Sequence, residues 1–381
     1  MAKQSDSPEM IKQALSQLAL GPARLSADAF AAPLLAWYDD HGRSLPWRKK
    51  WPDLTEPYDV FLSELMLQQT VVATVIPYFQ RFKDLWPTVH DLASCEEEDL
   101  LKEWAGLGYY ARARNLRKAA RTISADHNGI FPQDEARLLA LPGIGPYTAA
   151  AIRAFAFDQP AIVLDGNVER VMARFAGLIT ALPELKTQLR TIYPQLAPQN
   201  RHSDFAQAIM DLGANICISG MPRCDACPLA QSCRFAHHKE AAYVPVKVKK
   251  QPKPKREGLI FVATKGDYAV MVRRPDKGLL GGMMGFPTIG WGSAKEAASP
   301  AIFTPPFAAN WQEVEGKVRH IFTHFELNLT IYHAPMGTDE ISGDISGDIS
   351  GDAHQFQLVL PEEVGLASVF AKVWQAVTNA R

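Results

Sequence analysis

Four of the five cysteines of this chain fall close together, as Cys217-x6-Cys224-x2-Cys227-x5-Cys233. Thiolates this near one another can hold zinc or an iron–sulfur cluster. The opening residues "MAKQSDSPEM" carry Asp6 and Glu9 and no apolar core, so no secretory signal is expected. In the reducing setting that follows, a cysteine cluster is more often a metal site than a disulfide framework. Zinc sites usually join two tight CxxC pairs, and here there is one. Cys95 stands apart and reads as a packed thiol. Two carboxylates also stand out. Glu64 lies in "YDVFLSELMLQQTVVATVIPYF" (Tyr58–Phe79), read as one helix, with Val60, Phe61 and Leu67 a turn to either side. A carboxyl desolvated there would keep its proton toward neutral pH and could serve as a general acid. A solvated glutamate on the exposed side of the helix fits the pattern equally well. Asp165 precedes the apolar face Val168, Val171, Met172 and Phe175, so it reads as a helix N-cap, a role compatible with catalysis.

These groups need elements to position them. The 381 residues, 47% hydrophobic and 21% charged, favour two soluble globular domains. No apolar run approaches the roughly 20 residues of a membrane span. The net charge of −1 is uninformative about nucleic acid, but its distribution is not. Residues 1–28 read as a loose N-terminal extension. From Phe30 to about Phe235 the apolar spacing is helical, with Ala-rich stretches such as "YTAAAIRAFAF". In "LPGIGPYTAAAI", Gly143 and Gly145 let backbone N–H groups approach an anion at a helix N-terminus, although a plain helix–helix turn looks similar. "GLGYYARARNLRKAAR" sets Leu107 and Tyr109 on a turn, as an apolar wedge would require. Arg112, Arg114, Arg117, Lys118 and Arg121 follow; they suit phosphate contact or a solvated helix face. Residues 237–257 form a basic, Pro-rich linker. Beyond it lie β patterns: "GLIFVAT", "YAVMVRR", "VRHIFTHFELNLTIYHA" and "FQLVL". The repeat "ISGDISGDISGD" reads as a hairpin loop without order of its own rather than a calcium site.

Cysteine for cysteine, the spacing resembles the cluster loop of the endonuclease III superfamily of DNA glycosylases. That resemblance implies a 4Fe–4S cluster on Cys217, Cys224, Cys227 and Cys233. The glycine hairpin, Asp165 and the cysteine loop also follow the order of the helix–hairpin–helix glycosylases. "LSELMLQQT" is similar to the catalytic helix of MutY-type adenine DNA glycosylases, where the glutamate is the essential acid. The fold implied has two domains. An all-α helix–hairpin–helix glycosylase core with an iron–sulfur loop spans 29–236, the loop lying at 217–233. An α+β Nudix-like domain spans 258–381.

The resemblance also implies a reaction. Glu64 would protonate adenine at N7 and Asp165 would stabilise the sugar oxocarbenium, while Asn167 orients water or steadies charge. Bifunctional relatives carry a lysine where this chain has Tyr147; tyrosine offers no amine for a Schiff base, so a monofunctional enzyme is expected. The adenine must be flipped out of the duplex. Gln69 matches the family's intercalating glutamine, and Arg43, Leu45 and Trp47 of "RSLPWR" match its adenine pocket. Gln207 matches the residue that reads the adenine edge, where an amide can pair with N6 and N7; a buried structural Gln is the alternative. "GLLGGMMGFP" is similar to the start of the Nudix-like domain, but "TIGWGSAKEAASP" lacks the acidic run that binds magnesium, so phosphate hydrolysis is not expected. Phe322, Thr323 and His324 stand where the family reads 8-oxoguanine with Phe-Ser-His; the added methyl of Thr323 would alter lesion affinity. Arg223 and Arg234 flank the cysteines and would offer positive charge to DNA. The partner implied is double-stranded DNA with A:8-oxoguanine or A:G mispairs, bound by a monomer without a membrane. The location implied is the cytoplasm of a prokaryote, at the nucleoid.

Overall fold

A computed structural model of the protein describes residues 25–246, 252–275, 278–291, 304–336, 346–348 and 353–380, together with Leu15 and Leu18. The chain packs as two compact units, residues 1–90 with 119–250 and residues 91–118 with 251–381. Most of the expected N-terminal extension, residues 247–251 of the expected linker and "GSAKEAASP" at 292–300 lie outside the described residues.

Eleven helices precede the sheet among the described residues: α1 (Ala27–His41), α2 (Pro57–Leu67), α3 (Val72–Leu85), α4 (Val89–Ser94), α5 (Glu97–Glu103), α6 (Ala111–Asp126), α7 (Glu135–Leu139), α8 (Pro146–Phe157), α9 (Gly166–Ala176), α10 (Glu184–Leu196) and α11 (His202–Asn215). Their ends follow local chemistry. Ser26 caps α1 through its side chain, Pro146 opens α8 at a position needing no N–H, and Asp165 caps α9. Gly177, at φ 73°, closes α9 in the left-handed region.

The helix expected over Tyr58–Phe79 is two helices. α2 stops at Leu67, and Gln69 adopts φ 61°, a backbone no right-handed helix accommodates. The break leaves the Gln69 side chain exposed. α2 has no solvent face: Tyr58 and every residue from Val60 to Met66 are buried.

The second unit holds an eight-stranded mixed sheet, β1 (Lys255–Lys265), β2 (Tyr268–Arg273), β3 (Met284–Gly285), β4 (Thr288–Ile289), β5 (Gln312–Ile321), β6 (Glu326–Pro335), β7 (Ser346–Asp348) and β8 (Ala353–Val359), with its main path in the order β5-β6-β1-β2-β8-β7. β1 and β6 run parallel with Ile260 opposite Ile331; the other pairings are antiparallel. α12 (Ser368–Asn379) buries Phe370, Val373 and Val377. The β pattern expected through Val318–Ala334 is interrupted by a tight turn, in which Phe322 N–H donates to Phe325 O at 2.9 Å. β1 begins at Lys255, within the span read as linker. Ser346–Asp348 of the ISGD repeat is a strand paired with β8 rather than irregular loop, and the rest of the repeat lies outside the described residues.

Candidate active site

A cleft of about 1180 Å³ in the first unit gathers residues that lie far apart in the chain. Glu64, Tyr147, Asp165, Asn167 and Gln207 share its walls with Arg43, Leu45, Trp47 and Gln69. Glu64, carried by α2, is only 7% exposed. The solvated alternative is thereby removed. Burial pushes its carboxyl up to about 7; the Tyr147 hydroxyl that donates to it and the Arg48 guanidinium oppose that rise, and Asp165 adds to it. Burial and the Glu64 charge raise the Tyr147 phenol well above its ordinary range, so this hydroxyl is a donor and not an anion.

Asp165 stands at the N-terminus of α9. One oxygen accepts from the N–H groups of Asn167 at 2.9 Å and Val168 at 2.7 Å; the other accepts from Asn167 Nδ2 at 3.1 Å. The cap expected from the sequence therefore also aims the carboxylate. Asn167 is in turn held by Arg170, whose guanidinium donates to Asn167 Oδ1 at 2.9 Å, to Gly213 O at 2.7 Å and to Cys217 O at 2.7 Å. One side chain thus ties the aspartate's cap to the first cysteine of the loop. Nothing in the sequence pointed to it.

Arg43 lines the cleft, but its guanidinium is engaged. Asp211, fully buried, accepts from Arg43 Nε at 2.6 Å and from Arg48 at 2.9 Å. Two cations around one buried carboxylate satisfy it where water cannot. The pair fixes "RSLPWR" against α11. Asp211, one turn beyond Gln207 in an apolar run, was the sequence signal available for it. Lys186, also on the cleft wall, is held 2.9 Å from the buried Glu169.

The four cysteines line a separate small cavity with Arg174. Burial raises the thiols of Cys227 to about 11 and Cys233 to about 12, and raises Cys217 as well. Bare thiolates there would be penalised; soft metal ions that accept thiolate charge suit this donor set. Among the described residues, no three His, Cys, Asp or Glu side chains are grouped to hold a single metal ion. Arg174, 1% exposed, secures the loop from within, donating to Ile218 O at 2.8 Å, Gly220 O at 2.9 Å and Cys217 Sγ at 3.3 Å. Arg223 is exposed as expected, but Arg234 turns inward, donating to Ala176 O at 3.4 Å. Cys95 belongs to the second unit and bonds Leu92 O at 3.1 Å.

In the hairpin before α8, Gly143 has φ 77°, which calls for glycine. Gly145 has ordinary φ, and a Cβ there would meet no protein atom within 4 Å, so nothing among the described residues calls for glycine at this position.

The second unit carries the remaining expected residues. Tyr109, at φ 49° and 48% exposed, bonds the hydroxyl of Thr323, and His324 beside it is exposed. Two expectations change. Leu107 is buried at 5% exposure and offers no wedge. Phe322 is an anchor, stacked on Phe325 at 4.8 Å and Trp291 at 6.0 Å. Of the basic run, Arg112 caps Leu107 O and Gly108 O, while Arg117 is buried against Cys95 O and Glu97; neither is a free phosphate contact.

Family models match at residues 62–195, as an HhH-GPD superfamily base excision DNA repair protein, and at residues 259–376, as a NUDIX domain. An adenine DNA glycosylase of Rattus norvegicus is 34% identical over 85% of this chain and 74% of its own. An adenine DNA glycosylase of Buchnera aphidicola subsp. Baizongia pistaciae is 35% identical over 68% of this chain and 73% of its own. A solved thermostable thymine-DNA glycosylase overlaps 55% of this chain and 96% of its own at 26% identity, with a TM-score of 0.49.

Proposed function

The chain belongs to the adenine DNA glycosylases, enzymes that hydrolyse N-glycosidic bonds in base excision repair, and on that premise we propose that it removes adenine paired with 8-oxoguanine or guanine, with Glu64 as general acid and Asp165 as the carboxylate that steadies the sugar cation. The observation that carries this reading is the buried Glu64, held near neutral pKa in the same cleft as the capped Asp165. Glu64 delivers its proton to adenine N7, and the bond from N9 to C1′ breaks with its electrons leaving on the base. The Tyr147 hydroxyl then stabilises the glutamate left behind, an interaction stronger after proton transfer than before it. Asp165 faces the oxocarbenium, and water adds at C1′, its proton passing to the Glu64 carboxylate. Asn167 keeps Asp165 aimed. Tyr147 has no amine to form a Schiff base, and Lys186 is paired with Glu169, so the sugar–phosphate strand is left intact.

Gln69 and Tyr109, both exposed on left-handed backbone, are the side chains suited to enter the base stack. Thr323 and His324 present polar groups beside Tyr109 and are assigned to the opposing 8-oxoguanine. Cys217, Cys224, Cys227 and Cys233 would hold a 4Fe–4S cluster, whose chemistry when bound is to fix the fold of its loop rather than to act on the glycosidic bond. Four half-buried cysteines around one cavity, with only one tight CxxC pair among them, support a cluster over zinc. Purified protein should carry iron and acid-labile sulfide; a colourless zinc protein would contradict the assignment.

The test of the reaction is single-turnover release of adenine from duplexes with A opposite 8-oxoguanine, guanine or thymine. Release from the first two, with strand scission only after alkali, is expected. Release confined to other bases, or scission without alkali, overturns the reading.

A further inference from the structure

The amide of Gln207 is fixed in one orientation, and the residue that fixes it is Ser203, one turn earlier on α11. Gln207 is 1% exposed and lines the cleft. One end of its amide lies 3.2 Å from Ser203 O. A backbone carbonyl only accepts, so that end must be the NH2 group. The same end lies 3.0 Å from Ser203 Oγ. That hydroxyl donates in turn to Phe155 O at 3.3 Å, which leaves its lone pair for the Gln207 N–H. Both contacts demand the same orientation. The carbonyl oxygen of Gln207 is therefore the end available to the cleft. Ser203 is itself held: its N–H donates to Asp158 Oδ1 at 2.8 Å, and its side chain is 3% exposed.

We propose that Ser203 is a specificity-positioning residue: by taking the Gln207 N–H it presents an acceptor to the base, so that the cleft selects a 6-amino purine over a 6-oxo purine. Adenine offers a donor at N6, which pairs with the Gln207 oxygen. Hypoxanthine or guanine would set a carbonyl oxygen against it, leaving two buried acceptors without a proton between them. The bidentate reading of N6 and N7 expected for this glutamine needs its N–H group, which Ser203 occupies; a single acceptor contact replaces it. The inference rests on the adenine-pocket reading above.

The test is single-turnover release of adenine and of hypoxanthine, each opposite 8-oxoguanine in one duplex sequence. The ratio of the two rates is independent of the folded fraction, so a variant that folds poorly still reports. Ser203→Ala should lower the adenine-over-hypoxanthine ratio roughly three- to tenfold, since Ser203 O still favours the original orientation. Ser203→Thr, which keeps the hydroxyl, should restore it. In a Gln207→Ala background the Ser203→Ala change should leave the ratio unmoved. An unchanged ratio in Ser203→Ala, an equal fall in Ser203→Thr, or a fall that persists without Gln207 overturns the inference alone. Wild-type protein that releases no adenine overturns the pocket reading, and the inference with it.

Discussion

A carboxyl on a helix with no solvent face has little water to stabilise its charge, so the stability of the protein should register Glu64 as well as its activity. Its folded pKa lies near 7 against an ordinary 4.5. Between those values the folded state binds the proton the unfolded state has lost, so stability falls as pH rises from about 4.5 to about 7 and levels off above. Glu64→Gln escapes that loss. It should be more stable than wild type at pH 8 by on the order of 3 kcal/mol, with the difference gone below the unfolded pKa, as denaturant titration at the two pH values would report. A variant no more stable than wild type at pH 8 would mean that the carboxylate is not desolvated. The sequence placed apolar neighbours around Glu64 but could not choose its side of the helix, because α2 is buried on all sides and carries no amphipathic period. Asp165 was legible, because an N-cap is local chemistry. The pairing of Asp211 was not: its partners lie 168 and 163 residues away, and one sequence does not record such distances.

At the scale of elements, α9 and α11 approach closely where Arg170 joins Asn167 Oδ1 to Gly213 O. Gly213 permits it: a Cβ there would sit 2.7 Å from Asn167 Cβ and 3.2 Å from its Cα. In an exposed helix, glycine to alanine gains about 1 kcal/mol of helix propensity. Here backbone stands in the way, so Gly213→Ala should instead destabilise by about 1–3 kcal/mol and slow adenine release, because Asn167 is pushed from Asp165. Urea unfolding beside single-turnover rates checks both. Arg170→Ala removes the guanidinium bonds to Asn167 Oδ1, Gly213 O and Cys217 O, and should lower the release rate at saturating enzyme more than DNA affinity. Equal losses in rate and affinity would place its role elsewhere. The break between α2 and α3 was illegible in physical terms: residues 68–71 are Gln, Gln, Thr and Val, with no glycine or proline to announce it. The caps of α1, α8 and α9 could be read because each is written in a residue type.

Over the whole molecule, packing groups residues 91–118 with 251–381, where the sequence suggested a simple division at the linker 237–257. Tyr110 donates to Gly365 O at 3.2 Å, and Tyr109 bonds Thr323, both within that unit. A chain ended at residue 246 should therefore lose more than the turn to which lesion reading is assigned. Amide exchange should quicken across 91–118, and the preference for A:8-oxoguanine over A:G should fall. Unchanged exchange there would mean the segment is held by its own contacts. The mixed sheet was foreshadowed by β patterns, but the parallel pairing of β1 with β6 was not, since partners such as Ile260 and Ile331 are chosen in space. The claim on which all of this depends is that Glu64 breaks the bond to adenine. Its most direct test is single-turnover release from an A:8-oxoguanine duplex by wild type and Glu64→Gln at equal occupancy. Wild type should release adenine at a rate that declines as pH rises through about 7, while Glu64→Gln binds the duplex and releases none. Release by Glu64→Gln at the wild-type rate would contradict it.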